Sequence, residues 1–130
     1  MEQSLNILGY DPNVVYDAVF TVGTPAATCA ISVQLNGYDG KPIKEAACVT
    51  MYASDDPSGD DIVALGTSGI VAGTDGSVLE VVADTLYKVI SEADGDIDVT
   101  LDGSGANTRY LVVVLPSGRI CVSDSFLFTS

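Results

Sequence analysis

The side chains here that could do chemistry are almost all carboxylates. Eighteen Asp and Glu stand against five Lys and Arg in 130 residues, and there is no histidine. Without an imidazole, the commonest general base, the usual Ser or Cys triad and most zinc sites are out of reach. No G-x-S-x-G turn occurs, and no glycine-rich phosphate cradle follows a strand and opens a helix. The sequence therefore reads as non-enzymatic, with no cofactor. Two groups of acids remain: Asp55, Asp56, Asp60 and Asp61 in one stretch, and Glu92, Asp94, Asp96 and Asp98 in another. Calcium favours oxygen-rich sets of this kind. Asp94-x-Asp96-x-Asp98 begins like an EF-hand loop, but its glycine is Gly95 instead of the sixth position, and Gly105 stands where the twelfth needs Glu. A spacing of two on a strand sends Asp96 and Asp98 to solvent opposite Ile97 and Val99 with no ion required. The expectation is a solvated acidic face with no metal site, a weak cation site being the lesser alternative.

Three cysteines, Cys29, Cys48 and Cys121, lie far apart without C-x-x-C spacing, and they read as reduced, buried apolar side chains instead of a disulfide framework. The formal charge of −13 sets the chain against phosphate backbones and anionic headgroups. Nucleic acid and membrane surfaces are thus poor partners. The opening residues carry no Lys or Arg ahead of a long apolar stretch, so no secretory signal is expected. The longest apolar run, Tyr110 to Leu115, is too short to span a bilayer, and the chain is expected to be soluble when made. With 47% hydrophobic residues and charges scattered singly or in pairs, it can bury a core.

The elements that must position these residues are strands. Val14, Tyr16, Ala18, Phe20 and Val22 alternate with polar positions, then Cys29, Ile31, Val33 and Leu35 do the same opposite Ser32, Gln34 and Asn36. A turn-rich stretch, 36–42, leads on to Ala47, Val49 and Met51, which suggests two strands joined by a seven-residue loop. Residues 53–61 have no apolar period and read as an exposed loop, and within the glycine-rich 66–76 only Ile70-Val71-Ala72 could form a strand. Val78 to Ile90 is ambiguous. Val78, Val82, Leu86, Val89 and Ile90 share one helical face, but the β-branched content and a turn at Ala83-Asp84 favour strand–turn–strand. Ile97, Val99 and Leu101 alternate with acids, and Tyr110 to Leu115 is apolar on both faces, as a central covered strand would be. Ser117-Gly118 fits a hairpin, after which Ile120, Val122, Phe126 and Phe128 are expected to face inward.

Eight or nine short strands, glycine-rich turns and no secure helix point to an all-β fold, an antiparallel β-sandwich of immunoglobulin-like type, with a jelly roll as the alternative. Residues 14–130 form the expected single domain. Residues 1–13 stand outside the alternation as an N-terminal arm or an edge segment, and Leu5, Ile7, Leu8 and Tyr10 make that segment apolar enough to bind a partner.

The stretch Ile31-Ser-Val-Gln-Leu-Asn-Gly-Tyr-Asp-Gly-Lys-Pro-Ile43 looks like the hairpin of bacterial and phage immunoglobulin-like domains. Taken with Val49-Thr-Met-Tyr-Ala-Ser-Asp-Asp56, Ser91-Glu-Ala-Asp-Gly-Asp-Ile-Asp98 and Tyr110-Leu-Val-Val-Val-Leu-Pro-Ser-Gly-Arg119, it resembles small immunoglobulin-like virion proteins of tailed bacteriophages across roughly residues 28–123. The resemblance implies a head decoration protein, made in the host cytoplasm and carried on the capsid exterior. Its partner would be the major capsid protein, with a homo-oligomer on the shell as a further expectation. The alternative is a tail-associated or adhesin-like binding module that contacts the host surface.

Overall fold

The structure, a computed structural model, describes residues 13–129; the arm residues Leu5, Ile7, Leu8 and Tyr10 lie outside them. Eleven strands and no helix occur among the described residues: β1 (Asp17–Val22), β2 (Thr28–Asn36), β3 (Cys48–Ser54), β4 (Ile62–Val63), β5 (Ile70–Ala72), β6 (Ser77–Val82), β7 (Leu86–Ile90), β8 (Asp96–Asp102), β9 (Thr108–Val114), β10 (Ile120–Val122) and β11 (Phe126–Leu127). The protein is an antiparallel, immunoglobulin-like β-sandwich. One sheet has the order β1-β2-β8-β5, and the other runs β10-β9-β3-β7-β6, with β11 also pairing β9 and β4 pairing β3.

Period-two alternation decides which side chains fill the space between the sheets. From the first sheet come Cys29, Ile31, Val33 and Leu35 of β2, facing Ile97, Val99 and Leu101 of β8 across the ladder. The second sheet supplies Val49, Met51 and Ala53 of β3, Tyr87 and Val89 of β7, and Leu111 and Val113 of β9. The ambiguous stretch, 78–90, is strand–turn–strand: β6 and β7 pair around Asp84, whose φ of 59° fits the tight turn.

Four expectations are corrected. The inward phase of the first strand holds only from Ala18; Val14 and Tyr16 are exposed and Val15 is the buried residue, because the ladder with β2 begins at Asp17. The chain doubles back only briefly after β2, through an isolated bridge of Asn36 with Pro42, and then crosses to the other sheet, so β2 and β3 are not hairpin partners. At the end of the chain Cys121 faces inward while Ile120 is exposed and Val122 half-buried, since Cys121 is registered opposite the core residue Val113. Phe126 and Phe128 are buried as expected, after a break that separates β10 from β11. Finally, Cys48 is exposed, whereas Cys29 and Cys121 are buried; all three are free thiols.

Candidate binding surfaces

The outer face of the first sheet carries the second acidic group, but not as the sequence arranges it. β8 presents Asp96 and Asp98, and the β5–β6 turn adds Asp75, so that one oxygen from each lies within 4.8 Å of the others. Asp94 is not in this set; its carboxylate caps the Asp96 amide within the preceding turn. Asp98 accepts hydrogen bonds from Thr74 Oγ1 and Ser32 Oγ, each at 2.7 Å, and these hold its carboxyl below the ordinary range. Asp75 is pushed up to about 6, first by its hydrogen bond with Asp96, then by lost hydration and by Asp98. Three carboxylate oxygens with two adjacent hydroxyls form a set that could hold a hard cation. Asp75 escaped the sequence reading because it lies 21 positions from Asp96, and only the β5–β6 turn brings it back over β8. A shallow open groove runs beside the cluster over Thr21, Ala30, Ser32 and Thr100.

The first acidic group, in the loop after β3, is fastened to the outer face of the second sheet. Tyr52 donates its hydroxyl hydrogen to the Gly59 carbonyl. A Cβ at Gly59 would stand 3.0 Å from Val122 Cγ2 and 3.1 Å from Val112 Cγ2, and the residue has φ +77°. Glycine is therefore needed for both reasons. The loop covers Tyr52 and Val112, which explains why β9 is apolar on both sides. Its carboxylates crowd one another. Asp56 is held low by the Ser58 hydroxyl and amide, and Asp61 is raised chiefly by Asp55.

Beyond that loop the same sheet face lies open. Its cross-strand register lines up Ile120, Val114, Thr50, Lys88 and Leu79 in one row, with Cys48, Ile90 and Ser77 beside it. Leu79 is 66% exposed, Ile120 49% and Ile90 47%. No carboxylate stands in either row, and Lys88, whose Nζ donates to Thr50 Oγ1 at 2.8 Å, is their one ionised side chain. The outer face of the first sheet, with Asp96, Asp98 and Asp102, is the acidic counterpart.

A third surface forms where β1 begins. Tyr16 and Tyr38 meet edge to face with ring centroids 4.7 Å apart, and the Arg119 guanidinium sits 4.6 Å above the Tyr16 ring. Arg119 also reaches Asp17 at 3.8 Å. Tyr38 is 69% exposed. Asn13, the first described residue, accepts the Lys44 amide at this same end of the sandwich. The sequence reading missed this cluster, since its members come from three separate segments and share no motif.

The buried hydroxyls of Ser54, Ser91 and Ser123 are occupied with backbone groups. Burial raises the thiols of Cys29 and Cys121, the opposite of what a nucleophile needs.

No family model matches the chain, and no curated protein matches it. Among solved structures it is similar to the cohesin module from Clostridium perfringens ATCC13124 family 33 glycoside hydrolase. The two are 11% identical, the match covers 89% of this chain and 98% of that one, and the TM-score is 0.47.

Proposed function

We propose that this domain is a non-catalytic structural protein of a bacteriophage virion, a decoration protein that binds the major capsid protein and stabilises the assembled shell. The observation that carries the reading is the exposed Tyr16–Tyr38–Arg119 cluster, two of whose members flank the start of the described sandwich. Tyrosine and arginine dominate the energetics of protein–protein interfaces, because each brings a large rigid surface with a polar tip. Leu5, Ile7, Leu8 and Tyr10, earlier in the sequence, are apolar side chains that would add to the grip on a neighbouring protein. The sequence resemblance supplies the virion context.

The work done is linkage. A protein that binds the intact lattice but not free subunits shifts assembly toward the shell, by about 2.7 kcal/mol per site when its free concentration is a hundred times Kd. The test is co-sedimentation of the full chain with purified heads of the phage that encodes it. Stoichiometric occupancy and a higher disruption temperature of the heads are expected. Arg119→Ala and Tyr38→Ala should each weaken occupancy about tenfold or more, as loss of a central anchor does. Binding to host cells without binding to heads would move the protein to the adhesin class and overturn the decoration reading.

A further inference from the structure

We propose that two copies of this chain pair face to face across the outer surface of the β10-β9-β3-β7-β6 sheet, the 55–61 loop of each lying over the open half of the other. The inference does not rest on the decoration reading, which uses the Tyr16–Tyr38–Arg119 cluster.

The face is self-complementary. Along the strands it divides into two halves. One is built up by the loop that Gly59 seats on Val112 and Val122, and it carries Asp60 and Asp61. The other is flat and apolar, with Ile120, Val114, Ile90 and Leu79 around the single cation Lys88. A two-fold axis lying in the plane of the contact, across the strands and between the halves, sets each raised acidic half on the other's flat cationic half, which is how an isologous contact satisfies both sides at once.

Charge also selects this face. Two copies of a chain with a net charge of −13 repel unless acids of one copy meet a cation of the other. The first sheet presents Asp96, Asp98 and Asp102 outward with no Lys or Arg in any of its four strands, so a pair formed there would stack like charges. Interface centres are depleted in charge, and the open rows of the second sheet have that composition. Within one copy the loop's carboxylates crowd one another, and Lys88 of a second copy would relieve them. Five strands about 4.8 Å apart and six residues long span roughly 24 by 20 Å, so a pair would bury about 1,000 Å², the lower bound for a specific interface. The dimer is therefore a weak one.

The experiment is sedimentation velocity on the full chain from micromolar to millimolar concentration, with the rate of Cys48 alkylation as a second readout. Cys48 is the exposed thiol and stands beside Ile90 on this face. A concentration-dependent dimer that slows Cys48 alkylation is expected. Lys88→Glu alone, and Asp60→Lys with Asp61→Lys, should each weaken pairing about tenfold or more. Mixing those two variants should restore it, because every contact in the mixed pair is then of opposite sign, and restoration also shows that both variants are folded. Val19→Asp, on the outer face of the first sheet, should leave pairing unchanged. A chain that stays monomeric at millimolar concentration overturns the proposal. So does a dimer that Lys88→Glu leaves intact, or one that Val19→Asp abolishes.

Discussion

Asp75 is the residue whose ionisation the fold most resists. Its folded value, about 6, exceeds the ordinary carboxyl value, so the native state holds the proton more tightly than the unfolded chain does. Stability from this group is present in full below the unfolded value and is lost as pH rises through about 6. Asp75→Asn is thus expected to raise the melting temperature at pH 7 and to flatten its decline between about pH 4 and 6, as read by thermal unfolding across that range. At Tyr52 the hydroxyl is the matter at stake. Tyr52→Phe leaves the Gly59 carbonyl without its partner, at a cost of about 1–2 kcal/mol, and should speed amide exchange through 56–60 while leaving the core amides unchanged. Neither role was legible in the sequence. The acids could be counted there, but Asp75 joins Asp96 only through a turn, and Tyr52 appears as one more member of an alternating strand. The aromatic cluster at Tyr16 was hidden for the same reason, its arginine lying 103 positions away.

At the scale of elements, legibility followed from how many faces a strand buries. β2 and β8 alternate cleanly because one face is core and the other water, and both were readable residue by residue. β9 could be read as central because both of its faces are covered. β10 could not be phased. Ile120, Cys121 and Val122 are all apolar, so only the register with Val113 decides which one turns inward. The crossing after β2 was also illegible, since turn residues at 36–42 fit a hairpin as well as a passage between sheets. That passage depends on Gly95. Its φ is +81°, and a Cβ there would stand 2.6 Å from the Leu35 carbonyl oxygen and 2.8 Å from Ile43 Cγ1. Gly95→Ala should cost about 2–3 kcal/mol in denaturant unfolding. Phe128 closes the other end of the core, edge to face with Phe126 and packed on Gly103. Phe128→Ala should cost about 3–5 kcal/mol, with the slope of the unfolding curve unchanged.

For the molecule as a whole, the balance of eighteen acids against five bases means that folding draws like charges together. The screening length falls from about 30 Å at 0.01 M salt to about 8 Å at 0.15 M, so the melting temperature should climb over that interval and then level off. A chain that melts at the same temperature in both buffers would show that the acids are too well dispersed to matter. The order of the first sheet has a different consequence, for how the chain comes into being. β2 finds its partner in β8, and the hydrogen bond between Ser32 and Asp98 spans 66 positions. At ordinary speeds of translation, the inner side of β2 is made on the order of seconds before β8 leaves the ribosome. During that interval Ile31, Val33 and Leu35 have β1 beside them but not β8, and a newborn chain of this protein is at its most adhesive well before it is complete.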